Sequence, residues 1–403
     1  MGLLRIRRIR FPLLAAAALA AVACAPPQSA TSSPSASLGP TKTVRASATS
    51  TPYPTNTPAS VETMPTAPTV AVDIPTGLSG DLSAFGDLVT WGAYPRLPER
   101  GSGLIPNTLF MHRISTRETT RLATSIFPEQ GQIGQVRTDG RWVVWTDLQY
   151  FRPVSGEWRI FAEDVASGER FEAARNTTAG DVLARLNFTW PTLELHEGRI
   201  VWNEAYATED GLRANRIHVM DLDSRQARVV RDSDEDGLVH PTVYGDRVAF
   251  VRVEGVLTER TNMARVTVVD LRTDVESEPA PEHPGYQPSI WKDHLVWKSF
   301  PLHEAGDVFL YSFADETVVR ISAHADFPTV GERGVTWNVP NRSTSAVPFY
   351  EIATGKHFVV EIGRVGKARV QGPYLVWNHI ITPTPDQADD PPYKAEIRVR
   401  VYR

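Results

Sequence analysis

The sequence predicts an all-β protein, a β-propeller of seven four-stranded blades, with a six-bladed ring as the alternative. Three observations carry that expectation. A hairpin motif of ten residues recurs seven times, a large aromatic closes each copy, and those aromatics are spaced by 54, 57, 48, 47, 40 and 40 residues. A period of about 40–50 residues with several strands per unit is the pattern of a propeller. One hairpin cannot bury its apolar faces alone, so the units must stack around an axis.

In order, the copies are Leu82–Trp91, Val136–Trp145, Pro191–Trp202 (two residues longer), Pro241–Phe250, Pro288–Trp297, Pro328–Trp337 and Ala368–Trp377. Each reads as a short strand, a turn such as Gly86-Asp87, Gly245-Asp246 or Lys292-Asp293, and a second β-rich strand. A third strand follows a variable loop, as at Leu109–Ile114, Arg159–Val165, Arg216–Leu222, Arg265–Leu271, Val308–Phe313 and Phe349–Ile352. Asp, Ser, Thr and Gly cluster after it, residues that bond their own backbone or tolerate positive φ and so reverse the chain cheaply. A short outer strand, for example Thr120–Leu122, Ala227–Val230 or Thr317–Ile321, completes four per unit.

The seventh unit reaches only its third strand, Ala395–Tyr402, before the sequence ends. Thr69–Ile74, an alternating apolar run ahead of the first copy, is the expected fourth strand of that last blade. Such a strand clasps the termini and covers an edge that would otherwise invite association.

Three segments follow: a leader over 1–23, a tether over 24–68 and one propeller domain over 69–403. Arg5, Arg7, Arg8 and Arg10 precede the apolar run Phe11–Ala23, which is too short for a spanning helix and suits an export signal. Ala21-Val22-Ala23 is a small-residue cleavage site, and Cys24, the only cysteine, stands where a bacterial lipoprotein carries its lipid. A lone cysteine means that the domain uses no internal disulfide. The tether is rich in Ser, Thr, Pro and Ala, too poor in apolar surface to fold, and could extend on the order of 130 Å. Net charge is −5 with both signs interspersed, which shows no basic stripe for nucleic acid.

With the hairpin motif and the D-[LV]-x-[ST] turns at Asp164, Asp221 and Asp270, the chain resembles the TolB-like β-propeller family. It departs from that family's Ser-Pro-Asp-Gly link between the first two strands. The resemblance implies a binding platform, and no partner-binding residue is carried over from it.

Candidate sites come from the residues themselves. The residue just before each ten-residue block should stand where an innermost strand begins, at one mouth of the central channel: Asp81, Gln135, Trp190, His240, Gln287, Phe327 and Lys367. Such a ring offers both stacking and hydrogen bonding. Asp232, Asp234 and Asp236, followed by Gly237, match the first half of a calcium loop, although Val243 stands where the bidentate Glu belongs. His240, His283 and His324 lie in successive inter-repeat loops but share no equivalent position. No G-x-S-x-G, P-loop, dinucleotide or zinc pattern occurs.

The expected function is therefore an exported, lipid-anchored propeller that binds a protein or carbohydrate partner outside the cytoplasm, at the periplasmic or exterior face. The alternative is a secreted carbohydrate-active enzyme, a polysaccharide lyase or glycosidase working in the channel mouth. A monomer is the expected state, and calcium the one candidate ion.

Overall fold

The computed structural model describes residues 68–76, 79–93, 106–127, 131–149, 157–177, 190–254, 264–299, 305–339, 345–363, 365–381 and 394–402. Its regular structure among the described residues is 27 strands, all antiparallel to their neighbours.

The first sheet sets the pattern: Ser79–Phe85, Leu88–Ala93, Thr108–Arg113 and Glu118–Thr124 pair in chain order. Four-stranded sheets in the same order start at Gly131–Thr138, Leu193–His196 and Gly237–Tyr244. A seven-stranded sheet follows, because Thr317–Val330 is a single strand of 14 residues. Its first half is the outer partner of Gly306–Ser312, and its second half is the inner partner of Gly334–Asn338. The sequence expectation had separated an outer strand from the next hairpin. No Gly or Pro interrupts Ala323–Phe327, and the backbone runs through. That sheet holds two four-stranded units that share this strand.

The last sheet joins both ends of the domain. Val70–Thr76 pairs along its whole length with Lys394–Val401, so that Ile74 faces Ile397 and Val72 faces Val399. Ile74 is buried among Leu82, Val89, Trp91, Tyr374 and Val399, which places it between the last sheet and the first.

Packing follows the repeat. In the first hairpin Leu82 lies opposite Trp91, and Val136–Trp145, Leu193–Trp202 and Ala368–Trp377 are paired likewise. All seven closing aromatics are buried, none more than 4% exposed. Apolar clusters fill the gap between each sheet and the next. Trp145 meets Leu88 and Met111 of the sheet before it, Trp202 meets Trp158, and Trp377 meets Phe349. Burying a side chain of this size stabilises by about 2–3 kcal/mol, so the aromatics supply much of the glue between sheets.

The turns explain the shared Asp residues. Asp164 Oδ1 accepts the backbone N–H of Ala166 and Ser167, at 2.9 and 3.1 Å. Asp221 takes the N–H of Ser224 and Asp270 those of Arg272 and Thr273 in the same way. Each carboxylate replaces ladder partners that the reversing backbone has lost.

Candidate ligand site at one mouth of the channel

Six of the innermost strands carry a β-bulge at the same point. The pairing slips by one residue between Ser79 and Leu82, Ile133 and Val136, Val239 and Thr242, Tyr286 and Ser289, Asp326 and Thr329, and Val365 and Ala368. A bulge re-aims the side chain it carries. Two chemistries permit it here. Gly80, Gly134 and Gly366 precede Asp81, Gln135 and Lys367. Pro241, Pro288 and Pro328 follow His240, Gln287 and Phe327, and proline suits a point where a ladder bond is already broken. His240, Gln287 and Phe327 adopt φ of 53°, 56° and 49°, a conformation that side-chain-bearing residues take only when their surroundings impose it. A Cβ added at Gly134 would stand 2.9 Å from Leu148, so that position cannot carry a side chain without displacement.

These bulges bring Asp81, Gln135, His240, Gln287, Phe327 and Lys367 to the wall of one cavity of about 150 Å³. Trp190, which precedes a strand without a bulge, stands aside and lines an adjoining groove of about 420 Å³ with Ile133, Leu148 and Pro191. Asp81, Gln135, Thr192 and Lys367 border both spaces, so cavity and groove are continuous. Phe327 is 43% exposed, and Lys367 Nζ lies 5.6 Å from the centre of its ring.

Sequence reasoning missed the floor beneath this ring. Arg137 donates to Asp81 and to Glu194, the latter at 2.9 Å, and Arg369 donates to the second oxygen of Glu194 from the far side of the ring. Asp81 also accepts Val136 N–H at 3.2 Å. The Arg137 side chain is only 5% exposed. Burial alone would raise the pKa of Asp81, but Arg137, Lys367 and Arg369 overcome it and bring it to about 2. Glu194 is lowered by Arg137 and Arg369 against the same burial penalty. Burial, helped by Lys298, pulls His240 down to about 4, so its imidazole is neutral at neutral pH. Lys298 Nζ lies 2.7 Å from Asp326, within the next sheet. A signal did exist: Arg137 and Arg369 share the second position of the motif with Ser83, Thr242, Ser289 and Thr329. A polar residue there, between apolar neighbours, marks the face turned to the channel.

The residue after each closing aromatic was missed too. Thr146, Asn203 and Asn338 accept the N–H of Gln135, Thr192 and Ala368 at 2.8, 2.7 and 3.0 Å, fixing the starts of three innermost strands.

Below the ion pairs lies a space of only about 20 Å³, bordered by Glu194, Thr242, Ser289 and Trp291. Phe85, Trp291 and Tyr244 meet at the turns of three sheets, Phe85–Trp291 at 6.1 Å and Tyr244–Trp291 at 5.0 Å between ring centres. His196 joins them 4.0 Å from Tyr244. Gly372, at φ +55°, lets the backbone reach this plug, where a Cβ would come within 2.9 Å of Phe85. Side chains from four sheets thus meet across this end of the channel.

The acidic loop does not gather its carboxylates. Asp232 lies in the strand Gln226–Ser233 and accepts Tyr206 OH at 2.7 Å, Asp236 faces Arg252 at 3.3 Å, and Asp234 is exposed. Pairing carries on to Ser233, which holds Asp232 in the sheet. Nor do the three histidines converge. His283 stacks on Phe309 at 4.5 Å, and His324 is exposed on the long strand. Among the described residues no group of three or more His, Cys, Asp or Glu could hold a metal ion. Cys24 and its tether lie outside the described residues.

No family model matches the chain, and no curated protein matches it in sequence. Solved structures do resemble its fold. The β-propeller domain of the trilobed protease from Pyrococcus furiosus, which has an open velcro topology, aligns with a TM-score of 0.53 and 10% identity, over 76% of this chain and 89% of that one. An acylaminoacyl peptidase from Pyrococcus horikoshii gives 0.55 and 10% identity, over 81% of this chain and 52% of that one. A prolyl endopeptidase gives 0.52 and 12%, over 76% and 45%. The chain thus spans about half the length of these peptidases and most of the isolated propeller. At such identities the likeness concerns fold alone. The chain is a β-propeller protein.

Proposed function

We propose that this chain is an exported, membrane-anchored propeller of the TolB-like kind that binds a protein or carbohydrate partner at the open channel mouth. One observation carries the reading. Six bulges, built from two different residue chemistries, aim six polar or aromatic side chains into a single cavity while the opposite mouth is sealed. Strained backbone repeated at one level of a ring is costly, and it persists where a site requires it.

The glycosidase alternative needs one carboxylic acid held protonated near neutral pH. The carboxylates at the mouth, Asp81 and Glu194, are instead both kept ionised by arginines, which favours binding over hydrolysis.

Peptide and glycan arrays probed with the full chain test the reading. Ligands found this way should be lost on Phe327→Ala combined with Gln287→Ala, at an unchanged melting temperature, and retained on Lys292→Ala at the closed face. Ligands that survive the mouth variant and disappear with the other would place the site elsewhere.

A further inference from the structure

The mouth is unusual in which hydrogen-bonding atoms remain available. Gln135 accepts Leu193 N–H with its Oε1, Gln287 accepts Phe327 N–H at 3.0 Å, and Asn338 accepts Ala368 N–H at 3.0 Å. A backbone N–H only donates, so each carboxamide must turn its oxygen to the neighbouring sheet and keep its NH2 as the remaining group. The hydroxyls behave alike. Ser289 accepts Val330 N–H at 3.2 Å and Thr329 accepts Val370 N–H at 2.9 Å, which leaves their protons to donate. Asp81 and Glu194 are already engaged by Arg137 and Arg369. Arg369 Nε is buried and makes no hydrogen bond. Lys367 is half-exposed, its Nζ 3.7 Å from Asp81, beyond hydrogen-bond reach.

At these five side chains the acceptor oxygens are therefore engaged and donors remain for a ligand. The charged groups add to the bias: Arg137, Lys367 and Arg369 face two carboxylates. We infer that the mouth takes a carboxylate of a peptide partner, seated against Lys367, Arg369 and the NH2 groups of Gln287 and Asn338. The inference rests on the mouth being the binding site, and it narrows the ligand there.

Three features select this chemistry. A sugar presents hydroxyls that must donate as well as accept, and here they would find few acceptors, leaving buried donors unpaired. A carboxylate only accepts. One excess positive charge matches a monoanion better than a phosphate dianion. The cavity of about 150 Å³ suits one small group, and the adjoining groove along Trp190, Pro191, Ile133 and Leu148 takes apolar neighbours of an extended segment.

The test uses fluorescent hexapeptides with Glu or Gln at each position and with free-acid or amidated C-termini, titrated against the full chain by polarisation. Neutral and uronate oligosaccharides serve as competitors. Binders should require a carboxylate, and the free-acid and Glu series show whether it is terminal or on a side chain. Lys367→Met, and separately Gln287→Glu, should weaken binding by about tenfold or more, as loss of a charge-assisted bond or gain of a like charge implies. Both variants should melt like the parent. Equal binding of neutral and acidic peptides, no peptide binding at all, or displacement by neutral sugars would overturn the carboxylate. If neutral ligands are bound but lost on Phe327→Ala, the mouth remains the site and only its ligand class is wrong. If bound peptides ignore every mouth substitution, both readings fail together.

Discussion

Glu194 is the residue on which the centre of the ring depends. It receives Arg137 from the adjacent sheet and Arg369 from across the channel, so one carboxylate bridges two guanidinium groups, of which Arg137 also holds Asp81. Removing one partner of such a set leaves the others charged and unpaired. Glu194→Gln, which keeps the shape, should lower stability by on the order of 3 kcal/mol in denaturant titration. Glu332→Gln, at the half-exposed pair with Lys292, should change it by less than about 1 kcal/mol. Similar losses in both variants would mean that the central pairs are no more than surface ones. Acid unfolding separates the mouth residues by pH window. His240, depressed to about 4 from 6.5, stays neutral in the folded protein while the unfolded chain takes up its proton, so stability falls as pH drops through that window. Asp81, depressed to about 2 from 3.8, contributes stability above 3.8 that is lost as pH falls toward 2. In plots of denaturation midpoint against pH, His240→Gln should therefore flatten the upper window and Asp81→Asn the lower.

Strands show how much a one-dimensional pattern can carry. Trp145 and Trp202 announce the inter-sheet core because a large aromatic at a fixed distance from a turn has one place to go. Position relative to that block also located Asp81, Gln135, His240, Gln287, Phe327 and Lys367, since equivalent points in a ring converge on its axis. Trp190 escaped because its strand begins only at Leu193, after a proline and without a bulge. Glu194 and Arg369 escaped for a different reason: they are 175 residues apart, and no local spacing reports a contact made across the channel. In the acidic loop, charge spacing alone does not report that Asp232 belongs to a paired strand. The strand Val70–Thr76 gives the sharpest test at this scale. Its removal exposes Ile397 and Val399, deletes Ile74 from the core and strips a row of ladder bonds. Deleting 69–76 should lower stability by about 4 kcal/mol, a large part of the usual 5–15. Deleting 25–65 should leave the melting temperature unchanged. Equal melting of the two truncations would show that this strand is no clasp.

At the scale of the whole molecule, the clasp also decides where the N-terminal segment leaves the ring. Thr69 N–H donates to Val401 O at 2.8 Å, and Tyr402 N–H donates to Pro373 O at 3.0 Å. Pro373 sits in the turn beside Gly372, at the sealed end of the channel near Phe85 and Trp291. The chain therefore enters the propeller from the closed face, on the outer strand, and the open mouth lies at the opposite end. The basic segment, the thirteen-residue apolar run and the lone cysteine motivate the anchor. Expressed in a bacterial host with its leader intact, the protein should fractionate with membranes, and intact mass should show cleavage before Cys24 with acyl chains added. Cys24→Ser should move it to the soluble exported fraction while the melting temperature stays the same. With the anchor in place, a peptide that binds the mouth should reach the tethered protein as readily as the released one. An unmodified Cys24 in a soluble wild-type protein would remove the anchor.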